Sequence, residues 1–549
     1  MAIDTAGIPA ATGGALKRQV GLIGLLWASE SSIIGSGWLF GAKKALLAAG
    51  PSAILAWAIG AVAIIILALV HAELGGMFPV AGGSARFPTY AFGGAAGASF
   101  GWFAWLQAAS VAPIEVEAAM TYAGHYSFAT KWFDDNGNIH GWGLLVAVVL
   151  MAIFVTVNFL AVRLLTTVNS WIMWWKIAIP LATIFIVAAT HFHSKNFSAA
   201  DGFMPDGMHG VFSAVSGSGI IFALLGFEQA IQLGGESANP KKDLPRATIY
   251  SILIGAAIYI LLQVVFIAAI PALNIPKEWS ALTYPGISGP WAGLVTLVGL
   301  GWLGTILYLD AVVSPIGTGL IYTTATSRYS IGLAKNGYWP KQYGDVNGRG
   351  IPVFGLVTSF VAGCVCFLPF PSWGKFVGFI TSASVLMYAG APLAFGVFRS
   401  KLPNWERPWV LPAGGVMAPL AFVVANLVIF WSGWSTLEGL AAAILLGYVI
   451  LGATRLFNLN PIRPVLDLKA AQWLPVYLLG LGFIDWISDF GPGHSFLFKK
   501  PWLDNWWIDI IVVAAFSLVI YFWAQAVALP TEKIEESIGN IYVEEAELA

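Results

Sequence analysis

Residues 33–40 read IIGSGWLF and lie in the first apolar segment of the chain. Gly35 and Gly37 flank Ser36 where a membrane-spanning helix would have to be continuous. A glycine in a helix interior costs about 1 kcal/mol relative to alanine. The first helix is therefore weakest near its middle, and the stretch predicts a helix that opens there.

The composition of the chain is that of a membrane protein. Of the 549 residues, 58% are hydrophobic and only 10% are charged, whereas soluble domains are about 25% charged. A helix needs about 20 apolar residues to cross the bilayer core. The predicted fold class is an all-α polytopic membrane protein. Its fourteen candidate spans are 20–46, 52–76, 97–126, 143–160, 169–190, 212–235, 247–270, 288–325, 353–370, 374–398, 416–434, 437–456, 472–490 and 505–528.

Other features of the sequence exclude several classes of function. The formal net charge of −1 gives no sign of nucleic-acid binding. Cys364 and Cys366, two residues apart, face different sides of a helix and are interpreted as packing residues. His191 and His193 flank an outer loop without the carboxylates or cysteines that a metal site needs. We therefore expect no cofactor and no metal, and no pattern of catalytic residues indicates an enzyme.

The charges of the loops predict the orientation in the membrane. Eighteen of the 27 lysines and arginines fall in loops and tails on the side of residue 1, and six fall on the other side. This bias is typical of cytoplasmic loops, so we expect both termini in the cytoplasm and the protein in the cell membrane. Residues 1–19 form the N-terminal tail, and 529–549 form an acidic tail that is expected to be poorly ordered.

Glycines recur at matching places in two halves of the chain. The first span contains residues 35–37, and the sixth contains Gly217-Ser218-Gly219 followed by Gly226. Each span opens a block of five, at 20–190 and 212–398, and additional helices lie at 416–528. Interrupted helices in two such halves predict an inverted repeat with a binding site near the bilayer midplane. Close helix packing at the glycines is the alternative.

Several motifs together carry a family resemblance, which covers about residues 18–456. The chain resembles the amino acid–polyamine–organocation permeases, and "SIIGSGWLFGA" with "ASVAPIEVEA" resembles their bacterial aspartate–proton symporter-type members. The resemblance implies a leucine-transporter-like fold of five plus five helices with discontinuous helices 1 and 6. One departure is that 41–44 read Gly-Ala-Lys-Lys where the family often has a proline. The motifs are residues 35–37, Gly50-Pro51, 72–75 (AELG), 78–83 (FPVAGG), 91–94 (AFGG), 226–230 (GFEQA), 235–247 (GESANPKKDLPRA) and 327–341 (SRYSIGLAKNGYWPK).

The two interrupted helices provide the candidate binding site. Freed N–H groups at the start of a half-helix favour an anion, and freed C=O groups at an end favour a cation. An amino acid carries one anionic group, its carboxylate, and one cationic group, its ammonium. The resemblance implies that the carboxylate side is formed by Ile33, Gly35, Ser36 and Gly37. It implies that the ammonium and side-chain side is formed by Phe222, Ala223, Leu225 and Gly226.

Lys176 and Glu228 are the first candidates for proton coupling. Lys176 lies in the middle of the fifth span, where a charged side chain is costly and usually functional. Burial disfavours a charged lysine, and the resemblance implies that this lysine loses and regains a proton during transport. A lysine that snorkels to the membrane surface is the alternative. Glu228, after the helix-six interruption, either takes part in gating or accepts a hydrogen bond from the freed backbone.

Further charges lie within spans one, three and eight. Glu115 and Glu117 are two apart and cannot share one helix face, so one is expected to face the cavity and the other a helix interface. Asp310 lies outward of Pro315. Buried carboxyls need partners, and the lysines at 43 and 44 are the candidates. Lys43 either lines an outer vestibule, which would suit an acidic substrate, or neutralises Asp310 or Glu115.

These observations predict a secondary active transporter. The expected function is proton-coupled uptake of an amino acid, with acidic amino acids such as aspartate as candidates. The expected partners are the amino acid, the proton and the lipid bilayer. An exchanger of amino acids or amines on the same fold is one alternative, and a membrane nutrient sensor without net flux is another. The oligomeric state is left open, a monomer included.

Overall fold

A computed structural model describes residues 19–80, 83–160, 162–348, 350–492 and 505–548, with side chains described except at 162–171 and 540–548. The N-terminal tail predicted at 1–19 therefore lies almost wholly outside the described residues. Within these ranges the regular secondary structure is helical and no β-strand occurs. The first helices are α1 (Leu22–Ile33), α2 (Gly37–Ala49), α3 (Ala53–Met77), α4 (Gly83–Phe92), α5 (Gly94–Ala123), α6 (Trp142–Leu160) and α7 (Val162–Thr190).

The remaining helices continue the same pattern of long apolar segments. The central ones are α8 (Gly207–Gly217), α9 (Ile220–Ala223), α10 (Glu228–Gln232), α11 (Pro240–Ala269), α12 (Pro290–Leu297), α13 (Gly301–Lys335), α14 (Val353–Cys366) and α15 (Trp373–Lys401). The last ones are α16 (Gly414–Phe430), α17 (Trp434–Leu456), α18 (Trp473–Trp486), α19 (Trp506–Val527) and α20 (Thr531–Leu548).

The helices have the length and composition of membrane spans. In the described part of the chain, eight helical segments are long and apolar enough to cross a membrane, and α1, α14, α16 and α18 are shorter apolar helices. The predicted all-α polytopic class is confirmed. At 1.5 Å per residue, α18 is about 21 Å long, which is shorter than the hydrocarbon core of about 30 Å.

Both helices that the glycines mark are interrupted. The first helix ends at Ile33 and resumes at Gly37 as α2. The sixth span is divided into α8, α9 and α10, and Gly226, between the last two, has a φ of +122°. Side chains rarely adopt that backbone conformation, and glycine adopts it without a steric cost. The predicted discontinuous helices are therefore present in the structure.

Two predictions about the elements are wrong. The segment predicted as one span at 288–325 is two helices, α12 and α13, because the chain turns at Gly299 with a φ of +85°. The acidic tail, expected to be poorly ordered, forms α20. Its buried Ile534 and Ile538 lie one helical turn apart, and Lys533 pairs with Asp467 at 3.2 Å. An apolar face in an acidic segment thus attaches the tail to the protein.

The packing of the bundle places α5 beside α13 and α15, and α3 along α11. The C-terminal helices attach through α16. There Asn426 accepts from the hydroxyl of Tyr477 on α18 at 2.7 Å and donates to Ser517 on α19 at 2.9 Å. α18 and α19 are therefore fixed to the bundle by polar contacts as well as by apolar packing.

Candidate functional site

The two interruptions lie directly against each other. A Cβ added to Gly37 would lie 2.6 Å from the Cβ of Ala223, and one added to Gly226 would lie 2.7 Å from the Cβ of Ser32. Ser29 on α1 bonds to the backbone at the start of α10, because its hydroxyl donates to the carbonyl of Phe227 at 3.1 Å and accepts from the N–H of residue 230 at 3.2 Å. Glycine allows this close approach of two broken helices.

A small cavity lies between the interruptions. Its volume is about 10 Å³, about the space that one water molecule needs. Entry of an amino acid therefore requires side chains to move. The cavity is lined by Ser32, Ile33, Gly35, Gly37, Val111, Glu115, Phe222, Leu225, Thr318 and Tyr322. Five predicted substrate residues are in this set. The other three, Ser36, Ala223 and Gly226, lie against residues of the lining. Their role in binding stays a prediction.

The backbone freed at the end of α1 is bonded by side chains from three other helices. The carbonyl of Ile33 accepts from the hydroxyl of Tyr259 on α11 at 2.7 Å. The carbonyl of Ser31 accepts from Lys176 Nζ on α7 at 2.6 Å and from Thr318 Oγ1 on α13 at 3.2 Å. In lipid such groups would be costly without partners. The interruption is therefore stabilised by the surrounding bundle.

Lys176 points into the bundle rather than to a membrane surface. Its side chain is fully buried, and Nζ also donates to Thr318 Oγ1 at 2.7 Å. Its charge interacts with the carboxylates of Glu115 and Asp310. These contacts do not fit the alternative of a snorkelling lysine. A change in the charge of Lys176 would act directly on the carbonyl at the end of α1.

Glu115 lines the cavity, and Glu117 does not. The N–H of Ser36, immediately before α2, donates to the Glu115 carboxylate at 3.0 Å to Oε2 and 3.3 Å to Oε1. Glu117 is fully buried, interacts electrostatically with Cys366 of α14, and its oxygens accept no hydrogen bond from the described residues. The sequence left open which of the two glutamates faces the cavity, and in the structure it is Glu115.

The expected pairing of Asp310 or Glu115 with Lys43 or Lys44 is wrong for the described residues. Asp310 is buried and accepts three hydrogen bonds. The donors are the indole of Trp38 at 3.1 Å, the indole of Trp175 at 2.8 Å and the hydroxyl of Ser314 at 2.7 Å. Lys43 Nζ donates to the carbonyl of residue 287 at 3.2 Å. Neutral donors thus satisfy Asp310, and Lys43 lies half-buried near the segment that precedes α12.

Glu228 is fully buried and accepts several hydrogen bonds. The N–H of Gly226 donates to it at 3.0 Å and the hydroxyl of Tyr322 at 3.2 Å, and the hydroxyl of Tyr388 donates to it as well. The bond to freed backbone, one of its two predicted roles, is therefore present. The other role, in gating, stays a prediction.

Trp373 is a site residue that the sequence does not reveal. At the start of α15, its indole N–H donates to the Ser36 hydroxyl at 2.9 Å. Its ring stacks on Phe40 at 5.0 Å and meets the edge of Phe222 at 5.9 Å. These aromatic rings close one side of the two interruptions. Trp373 and Ser36 are 337 positions apart in the chain, and no local pattern connects them.

In the ranges that the structure describes, no three His, Cys, Asp or Glu side chains come together to hold a metal ion. What the structure offers is two broken helices around a small cavity lined by Glu115, with the buried Lys176 bonded to the end of α1, inside a bundle of apolar helices. This arrangement defines a membrane transport protein.

The comparisons with known proteins give the family. A family model described as amino acid permease matches residues 20–486, and the chain belongs to this family. The glutamate/serine transporter AimA of Bacillus subtilis (strain 168) is 34% identical over 533 residues, which cover 95% of this chain and 96% of the relative. The aspartate-proton symporter of the same organism is 33% identical over 525 residues, at 95% and 99% coverage.

A more distant relative also matches most of the chain. The branched-chain amino acid permease BcaP of Bacillus subtilis (strain 168) is 26% identical over 468 residues, which cover 80% of this chain and 94% of the relative. Membership of a permease family makes the protein a multi-pass membrane transporter and not an enzyme.

Proposed function

We propose that the protein is a secondary active transporter that takes up an amino acid together with a proton. The observation that carries the proposal is the contact between the buried Lys176 ammonium and the Ser31 carbonyl at the broken end of α1. A proton that adds beside this contact, at Lys176 or at a carboxylate that interacts with it, would change the attraction that holds the end of α1 closed. Proton binding would thus be linked to the movement that opens the site.

The two ends of the substrate would bind to the two interruptions. The α-carboxylate would accept hydrogen bonds from backbone N–H groups near Ser36 and Gly37 at the start of α2, where the helix dipole favours an anion. The ammonium and the side chain would lie near Phe222, Leu225 and Gly226. Because the cavity holds about one water in this conformation, substrate would enter after Trp373 and its neighbours move apart.

Acidic amino acids are the proposed substrate class. The relatives named for glutamate and serine and for aspartate match nearly the whole chain. On the outer half of α2, Lys43 and Lys44 are half-buried and adjacent, and the pair of cations would attract an anionic substrate. We further propose that both termini are cytoplasmic, that the protein lies in the cell membrane, and that 20–190 and 212–398 are the two repeats, followed by helices at 416–528.

The central test is uptake of labelled aspartate into proteoliposomes with an imposed pH gradient. Wild-type protein should accumulate aspartate, and K176M should bind but lose accumulation. The matched control is K195M, because Lys195 is exposed in a loop and its change should leave accumulation intact. Accumulation by K176M at the wild-type level would contradict the coupling role.

Two further measurements separate the rival functions. In competition experiments, glutamate and aspartate should reduce uptake most, and alanine or lysine outcompeting aspartate would contradict the acidic substrate class. In counter-flow experiments, an exchanger would work only with amino acid on both sides and would ignore the pH gradient. Uptake that needs no internal amino acid and follows the pH gradient supports the symporter.

A further inference from the structure

The start of α2 already binds a carboxylate, and that carboxylate belongs to the protein. Both oxygens of Glu115 lie within 3.3 Å of the Ser36 nitrogen. A Cβ on Gly35 would lie 2.7 Å from Glu115 Oε1 and 2.9 Å from Thr318 Oγ1, so the carboxylate packs directly on the glycine backbone. We call the Ser36 N–H and the adjoining Gly35 backbone the carboxylate site.

The groups around Glu115 leave the carboxylate site with a balanced charge. Lys176 of α7 supplies one positive charge, and Glu115 of α5 supplies one negative charge. Among the described side chains, the phenols of Tyr259 on α11 and Tyr322 on α13 also face Glu115, and they remain neutral and donate hydrogen bonds elsewhere. The charge of Lys176 also interacts with Asp310, whose carboxylate accepts hydrogen bonds from Trp38, Trp175 and Ser314 and not from the Ser36 N–H. The carboxylate site itself therefore contains one carboxylate, that of Glu115, with the Lys176 ammonium beside it.

A second carboxylate cannot be added to this arrangement. The cavity has room for about one water, and two carboxylates at one helix start repel each other. A buried charge without a partner strongly destabilises the protein. The carboxylate of an entering substrate must therefore replace that of Glu115.

We propose that Glu115 occupies the site of the substrate α-carboxylate in the empty transporter, and that substrate binds there when Glu115 takes up a proton and releases the Ser36 N–H. The inference rests on the proposed symport. A proton from the external solution adds to the Glu115 carboxylate, and the Ser36 N–H passes to the substrate carboxylate. The site then again contains one carboxylate and the Lys176 ammonium. On release into the cytoplasm the proton leaves, and Glu115 returns to Ser36.

This exchange gives a physical reason for coupling. Substrate without a proton would put two carboxylates at one helix start, and a proton without substrate would leave the Ser36 N–H without a charged acceptor. Each ligand therefore binds more tightly when the other is bound. Lys176 provides the constant positive charge against which the exchange takes place, so K176M should lose coupling as well.

Calorimetric binding of aspartate to the purified full chain tests the exchange. Titrations in buffers of different ionisation enthalpy report the protons taken up on binding. Above the titration of Glu115, wild-type protein should take up about one proton per aspartate, and its affinity should fall about tenfold per pH unit. E115Q carries a neutral side chain permanently. It should bind aspartate without proton uptake, with an affinity that does not change with pH.

The matched control is E117Q, two residues further along α5. Glu117 is equally buried and does not touch the carboxylate site, so proton uptake and the pH dependence of affinity should remain as in the wild type. Proton uptake by E115Q equal to that of the wild type would overturn the inference, and so would loss of aspartate binding by folded E115Q at acidic pH.

A measurement on the wild type keeps the inference testable if E115Q does not fold. Infrared difference spectra on addition of aspartate should show a new band of a protonated carboxyl group, which E117Q should retain. Proton uptake without that band would overturn the inference while leaving symport intact. A wild type that binds aspartate and takes up no proton contradicts the proposed function itself, so the two failures are distinguishable.

Discussion

At the scale of single residues, Glu115 and Glu117 show how two identical side chains on one helix acquire different roles. Glu115 accepts a backbone N–H and faces the charge of Lys176. Glu117 is fully buried and interacts electrostatically with Cys366, and no described group donates to its oxygens. A carboxyl group that is buried without a donor destabilises the folded protein.

Replacing Glu117 by methionine should therefore stabilise the protein. E117M removes a buried polar group and keeps a similar volume, so we expect a gain of about 1 kcal/mol and a higher temperature of unfolding in detergent. Aspartate uptake should stay at the wild-type level. A lower unfolding temperature, or loss of uptake by the folded variant, would show that Glu117 makes a necessary interaction.

At the scale of elements, the interruption before α10 depends on one glycine. Gly226 has a φ of +122°, and a Cβ there would lie 2.7 Å from Ser32 Cβ and 2.9 Å from the nitrogen of Ile33. G226A should strain the backbone and push α1 away, so transport should fall by at least tenfold, as measured by initial rates of uptake. G217A is the control, because a Cβ there meets nothing within 4 Å. Equal rates for both variants would contradict the role of the interruption.

A second connection between elements lies at the end of α3. Glu73 is fully buried and pairs with Arg399 at 2.6 Å and with Arg407 at 3.3 Å, and it accepts the N–H of Leu411 at 2.7 Å. The loop between α15 and α16 is thereby fixed to α3. Arg407 lies in that loop. Burial lowers the pKa of its guanidinium from the usual range, and the charge of Glu73 opposes the shift.

Loss of this buried charge should be far more costly than loss of an exposed one. E73Q leaves two arginines without their carboxylate, and breaking such a buried pair costs about 3–5 kcal/mol. E406Q is the control, because its pair with Lys241 is largely exposed and should contribute less than about 1 kcal/mol. Thermal unfolding in detergent measures both. A similar effect of the two substitutions would contradict the buried connection.

At the scale of the whole molecule, the sequence predicts those features that depend on a short stretch of residues, such as the helix interruptions and the buried lysine. Glycine pairs mark the interruptions because the backbone needs them there, and Lys176 is conspicuous because an apolar span tolerates few charges. The Trp373–Ser36 bond and the facing of Glu115 depend on how distant helices pack, which no short stretch encodes. The sequence does not reveal the division of 288–325, because both of its helices are apolar and apolar content alone does not report a turn.

The acidic tail is the part of the whole molecule where composition is most misleading. Charge predicts a solvated segment, but buried Ile534 and Ile538 on α20 attach it, and the N–H of Leu529 donates to the carbonyl of Ala91 at the end of α4. I534D would bury a carboxylate among apolar groups, so α20 should detach and become accessible to protease, while aspartate uptake is retained. E535Q, at an exposed position, should keep the protection. Because α4 lies between α3 and α5, loss of uptake by I534D would show instead that the tail supports the packing of the transport bundle itself.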